Sequence, residues 1–280
     1  MTRRSLVAKT YKLYLGGAFV RSESGRSDPT TDHAGAHVAN VPRSSRKDVR
    51  DAVKAARAAQ GGWAKRTAYN RGQILYRFAE ALESRSEELA RAAVAQQDAA
   101  LPAARAELGA AVDLLVHYAG WTDKFQAVMG GINPVAAPYL SFSTAEPTGV
   151  VAVLAPDEPD VLGLIREVAP ALAAGNTVVA IVSRRWPLRA LDLGEVAGVS
   201  DVPGGVLNLL CGRLDELLTP LCGHRDVNAI VDATGERSKV VDELAAETVK
   251  RVSRPAPDGD TLARIEALTE LKTAWHPVGS

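Results

Sequence analysis

Two cysteines, Cys211 and Cys222, are all that 280 residues contain. That is too few for a disulfide scaffold, and their spacing fits no zinc motif. In a reducing compartment each reads as a small buried or half-buried hydrophobe. A net field is missing as well. Lys+Arg and Asp+Glu are equal at 33 each, so nothing draws the chain to nucleic acid or an anionic membrane. No apolar run reaches the roughly 18 residues of a transmembrane helix. The basic start, Met1 to Thr10, lacks the apolar stretch of a secretory signal, which makes the cytoplasm the expected compartment. Of the five histidines only His33 and His37 stand at ligand spacing, in a polar segment that reads as surface, so no metal site is expected.

What is present begins with Tyr11 to Leu15, an alternating strand turned by Gly16-Gly17 into Ala18–Arg21, a hairpin. Residues 22–46 are rich in Ser, Thr, Asp, Gly and Pro and read as a surface crossing segment. Helical spacing of Val49, Ala52, Val53 and Ala56 predicts a helix from Ser45 to Gln60, and Ile74, Leu75, Phe78 and Leu82 predict a second over 67–84. A third is expected from Ser86 and a fourth over 103–128.

From Pro138 the character changes. Tyr139–Thr144 alternates as a strand, and Val150–Ala155 is a continuous apolar run, the mark of a buried parallel strand. A helix over 160–173 then precedes strand 177–182, helix 187–197, strand 206–210, helix 213–222, strand 228–231 and helix 236–249. This alternation predicts an α/β fold with a Rossmann-like, doubly wound parallel sheet behind an N-terminal helical segment. The tail 252–263 reads as a linker before a strand-like Leu271–Trp275.

Three stretches carry a family likeness: Gly16-Gly-Ala-Phe-Val20 with the later Arg71-Gly-Gln-Ile-Leu-Tyr-Arg-Phe-Ala-Glu80; Glu146-Pro-Thr-Gly-Val-Val-Ala-Val153 with Ala169-Pro-Ala-Leu-Ala-Ala-Gly-Asn-Thr-Val-Val179; and Val202-Pro-Gly-Gly-Val-Leu-Asn-Leu-Leu-Cys-Gly212. Together they resemble the aldehyde dehydrogenase superfamily across nearly the whole chain. The resemblance implies NAD(P)-binding-like segments over 11–137 and 147–251. It implies an oligomerisation β-element over 138–146 plus 266–277, carried by Tyr139, Leu140, Phe142, Leu271, Thr273 and Trp275. In the family that element is a hairpin joined by the C-terminal strand. The cysteine-bearing catalytic domain, which the family places between about Val252 and Leu268, is absent from this reading.

A resemblance implies a fold, not an activity. Where the family has the asparagine that donates to the oxyanion, this chain has Glu158, an acceptor that repels a developing negative charge. Where the family has lysine and glutamate on the adenine ribose, Ile181 and Arg184 stand, and neither can accept a hydroxyl proton. A Thr234-Gly235 pair survives from the pyrophosphate turn, displaced by one residue, with Asp232 and Glu236 beside it. The general-base glutamate has no counterpart, Arg251–Arg254 standing near its place, and no Gly-Gln-x-Cys occurs.

The expectation is therefore a pseudoenzyme without catalytic residues, similar to the degenerate second domain of two-domain aldehyde dehydrogenases. It would bind a full-length aldehyde dehydrogenase subunit, or itself, and no cofactor is expected. NAD(P) enters only if the degenerate positions Glu158, Ile181, Arg184 and Gly235 still bind it. Two other readings stand beside this one: an NAD(P)-dependent aldehyde oxidoreductase of residual activity, and a module holding a small ligand among Asp157, Glu158, Ile181 and Arg184.

Overall fold

Unbroken apolar runs become the central strands because neither of their faces can be left to water. In the computed structural model, which describes residues 9–256 and 261–278, the hairpin β1 (Leu13–Leu15) and β2 (Ala18–Val20) is followed by a ribbon, β3 (Ser27–Thr31) and β4 (His37–Pro42). Helices α1 (Arg46–Ala64), α2 (Ala68–Gln97), α3 (Leu101–Trp121) and α4 (Phe125–Met129) come next, then β5 (Gly131–Asn133) and β6 (Tyr139–Pro147). The alternating part runs β7 (Val150–Leu154), α5 (Asp160–Ala173), β8 (Thr177–Ile181), α6 (Pro187–Val199), β9 (Leu207–Leu210), α7 (Leu214–Cys222). It continues with β10 (Ala229–Asp232), α8 (Ser238–Ala246) and β11 (Arg251–Ser253), before α9 (Thr261–Glu266) and β12 (Thr269–Pro277). Among the described residues no helix is long and apolar enough to cross a membrane.

The main sheet has the order β11-β10-β7-β8-β9-β1-β2, with β7 to β11 parallel and β1 antiparallel to β9. Every residue of β7, β8, β9 and β10 is buried. Helices α5 and α6 pack on one face with α2 and α3 behind them, and α1 with α7 and α8 lie on the other. The chain winds outward through β8 and β9, then returns to the opposite side of β7 for β10 and β11. Winding reverses between β7 and β10, and that is where such a sheet opens a crevice at its carboxyl ends.

Local chemistry agrees with the frame. Ser45 caps α1 by accepting from the Asp48 amide, while Asp48 accepts from the Ser45 amide at 2.8 Å, a capping box. The Gly16-Gly17 turn seats against Gly204 because no side chain intervenes: a Cβ on Gly17 would lie 2.8 Å from the Gly204 Cα. Asn208 then accepts the Gly16 N–H at 2.9 Å and ties the hairpin to β9.

Several boundaries differ from the sequence expectation. Residues 22–46 hold the β3–β4 ribbon, whose polar composition hides it; the Asp32 carboxylate stabilises its turn by accepting from the amides of Ala34 and Ala36. The expected second and third helices are one, α2, since Ser84 and Ser86 bring no glycine or proline, and the Ser84 hydroxyl donates back to the Ala81 carbonyl. The fourth ends at Trp121 and resumes as the short α4. Part of the expected linker is β11, a fifth parallel strand too short and polar to stand out.

Thr269–Pro277 pairs along its whole length with β6, and Gly131–Asn133 adds on the far side, giving a three-stranded antiparallel sheet β12-β6-β5. The hairpin partner of β6 thus precedes it, inside the 11–137 segment read as NAD(P)-binding-like. Buried Asn176 anchors this sheet to the main one: its side chain donates to the Ala171 and Leu268 carbonyls and accepts the Gly149 N–H at 2.8 Å. A buried ion pair does the same from α9, with Arg264 donating to both Glu167 carboxylate oxygens at 2.6 Å. Removing one member strands the other charge, which costs about 3–5 kcal/mol. Glu167→Ala is expected to lose stability on that scale in urea unfolding, and Glu167→Leu combined with Arg264→Leu to recover most of it.

Candidate functional site

Three loops meet at the reversal point: residues 155–159 after β7, 182–186 after β8 and 233–237 after β10. In an open parallel sheet this crevice exposes backbone N–H groups and helix N-termini that favour an anion. Here the protein supplies the anions. The Asp157 carboxylate accepts the Arg184 amide at 2.8 Å and pairs with its guanidinium at 2.5 Å. The same guanidinium reaches across the crevice to Glu236 in a two-pronged pair of 2.9 and 2.7 Å. Arg184 therefore straps the β7 loop to the β10 loop through β8.

Charge states follow. Burial works against the Asp157 carboxylate, but the Arg184 side chain and amide outweigh it and hold its pKa below the usual value. Hydrogen bonding from Arg184 likewise lowers Glu236, and the two carboxylates, Glu236 first, push the guanidinium up despite partial burial.

The turn after β10 is filled from within. Asp232, buried at the end of the strand, accepts the amides of Thr234 and Gly235 at 3.2 Å and the Thr234 hydroxyl at 2.8 Å. Its second oxygen takes Arg254 at 3.2 Å, and Arg254 also holds Asp242 at 2.8 Å. Gly235 has φ of +65° with open space around it, so the glycine serves the turn. A diphosphate set against these amides would have to displace the Asp232 carboxylate and face Glu236. The residues present do not fit one.

Of the other positions singled out from sequence, Glu158 accepts the Trp186 indole N–H at 2.9 Å and pairs with Arg185 at 3.1 Å. Ile181 is buried in the core between Leu154 and Leu210, apart from the cleft that Arg184 borders. Arg184 instead borders a cleft of about 420 Å³ shared with Asp28, Pro29, Gly212 and Arg237, beneath the β3–β4 ribbon. Sequence reasoning missed the Arg184 strap and the Asp232 cap. The signal was there: an acid, a base and an acid placed one per strand-end loop.

The residues singled out for an oligomerisation element all lie on the small sheet. Directly opposed residues share a face, so Tyr139, Leu271, Thr273 and Trp275 lie on one side of the small sheet, where the Tyr139 and Trp275 rings meet edge to face at 6.0 Å. Leu140 and Phe142 lie on the other with Ile132. Apart from Thr273, whose hydroxyl is bonded to Ser143, these are exposed apolar groups.

Both thiols are removed from chemistry. Burial pushes Cys222 up to about 12 and Cys211 further, and the Cys211 Sγ lies 2.8 Å from the Pro42 carbonyl. Neither is expected to react with a disulfide reagent in the native protein, and both to react on unfolding. For the strap, Asp157 and Glu236 contribute stability above their ordinary values of 3.8 and 4.5, lost as pH falls through their lowered native values. Arg184→Ala should therefore cost about 1 kcal/mol at pH 7, after allowance for solvent screening. The difference from the parent should vanish in acid, when unfolding is followed across that range.

Residues 19–255 match the profile of the aldehyde dehydrogenase family. The mitochondrial benzaldehyde dehydrogenase of Antirrhinum majus is 34% identical over 244 residues, 85% of this chain and 45% of that protein. The mitochondrial aldehyde dehydrogenase family 2 member B4 of Arabidopsis thaliana is 35% identical over 244 residues, again 85% of this chain and 44% of that protein. Among solved structures, the NAD+ complex of a Bacillus cereus aldehyde dehydrogenase superposes with a TM-score of 0.83 at 27% identity, covering 92% of this chain and 55% of that one. The chain thus spans about half the length of the relatives it matches.

Proposed function

The chain belongs to the aldehyde dehydrogenase family, and from that footing we propose that it is a non-catalytic member serving as a structural or regulatory subunit of an active, full-length aldehyde dehydrogenase. One contrast carries the reading. The crevice where the family's chemistry would be prepared is filled by the chain's own Arg184, Asp157, Glu236 and Asp232, while the small assembly sheet is paired along its full length. Glu158 stands where an oxyanion donor is needed, and reversing that charge removes a contribution worth roughly 10²–10³ in rate even before repulsion is counted. No cysteine-bearing domain stands between about Val252 and Leu268 in the sequence, yet β12 returns to β6. A nicotinamide-dependent activity would need acceptors for the ribose hydroxyls and free amides for the pyrophosphate, whereas the Asp157 and Glu236 carboxylates are engaged by Arg184 and the Thr234 and Gly235 amides by Asp232.

Docking would run through Leu271, Trp275 and Tyr139, exposed aromatic and aliphatic groups of the kind that dominate interfaces. Co-expression with a full-length family enzyme is expected to yield a complex whose native mass exceeds that of either protein. Trp275→Asp should weaken it by about 2 kcal/mol, roughly thirty-fold. Calorimetric titration with NAD+ or NADP+ to millimolar levels is expected to show no saturable binding. A chain that binds no such enzyme, or that binds nicotinamide nucleotide tightly, sinks the reading.

A further inference from the structure

Helix α1 turns Val49, Ala52, Val53 and Ala56 into the core and sets a row of cations along its other side. Arg46, Arg50 and Lys54 stand about one turn apart, a rise of roughly 6 Å per step, with Lys47 beside them, and all four are exposed. Arg57 continues the row and donates to the Asp226 carbonyl and the Asn228 side chain. Little within the chain answers this charge. Among the described residues Arg46 and Lys54 enter no ion pair, Arg50 meets its neighbour Asp51 at 3.5 Å, and Lys47 reaches Glu23 at 3.9 Å. Loose surface pairs of that kind contribute little.

The row borders a groove of about 1040 Å³ between the start of α1 and the later turns of α7 and α8. Pro220 and Leu244, both half-buried, give it an apolar floor. Two of the acids that line it are already engaged: Glu216 is clasped by Arg43, and Glu23 accepts the Ser45 hydroxyl at 2.8 Å. The cations therefore face the groove with their charge largely unmatched.

We propose that this groove docks an acidic, amphipathic helix of another protein. Carboxylates one turn apart on such a helix repeat at the rise of Arg46, Arg50 and Lys54, and its apolar side would lie on Pro220 and Leu244. A small anion would use one or two of the cations and leave the apolar floor bare. A nucleic acid would find no Phe, Tyr or Trp in the lining on which to stack a base. The groove shares no residue with the small sheet, so the inference goes beyond the subunit role above and does not depend on it.

The test is fluorescence anisotropy of the whole chain with a labelled helical peptide of about sixteen residues, roughly 24 Å long, glutamate one turn apart on one side and leucine on the next. Saturable binding at about 10 µM or tighter is expected, lost in about 1 M salt, where charges are screened beyond roughly 3 Å. Arg46→Glu combined with Arg50→Glu should weaken it about tenfold or more, and the same peptide with lysine for glutamate should bind that variant better than the parent. Both positions are exposed at the amino-terminal end of α1, where the helix dipole favours acid, so the fold is kept. Leu244→Asp tests the floor without touching the cations and should weaken binding by a similar factor. Equal affinity of the parent for the glutamate and lysine peptides, no binding of the glutamate peptide at about 1 mM, or tighter binding of a single-stranded oligonucleotide overturns the proposal. Complex formation with a full-length enzyme is measured separately, since these substitutions leave the small sheet as it is.

Discussion

An open parallel sheet aims helix N-termini and unpaired amides at the crevice where its winding reverses, and something negative has to meet them. In this chain that constraint is met internally. The Asp232 carboxylate takes the amides of the turn after β10, and Arg184 holds Asp157 and Glu236 on either side of the opening. The loops are thereby held together by charge, with their donors and acceptors already used. A bound nucleotide would compete with partners that are covalently tethered and lose no translational freedom on binding.

Filling the crevice in this way leaves the framework unchanged. β7, β8 and β10 stay buried on both faces, Asn176 still ties the start of β7 to the end of α5, and the glycines of the β1–β2 turn still seat on Gly204. Packing and chemistry occupy different residues of the same strands. Ile181 illustrates the division: at the last position of β8 it adds to the core, while Arg184, three residues on, bridges the loops.

The small sheet is kept by a separate set of interactions. Arg264 with Glu167, and Asn176 with the Leu268 carbonyl, fix the entry to β12 against α5 and the main sheet. Beyond that anchor β12 runs out with exposed side chains, carrying Leu271 and Trp275 into solvent. A rigidly held root and an open edge are the physical requirements of a strand that recruits another chain.

Elements with strong periodicity were legible in advance: the apolar strands 150–154 and 177–181, the helix at 160–173, and the Gly16-Gly17 hairpin, each decided by neighbours in sequence. The β3–β4 ribbon and β11 were not, because short polar strands are stabilised by what they pair with. The residue types at Glu158, Ile181 and Arg184 stood out against the family resemblance, but their contacts were not legible. Sequence by itself determined the alternation of strands and helices, the residue types at positions 158, 181 and 184, and the strand-like Leu271–Trp275, since these follow from residue type and local spacing. Only the tertiary structure decided that Arg184 bridges residues 27 positions before it and 52 after it, and that Ile181 faces the core. Side chains so far apart meet only where the sheet brings its loops to one end, and no local pattern encodes that distance.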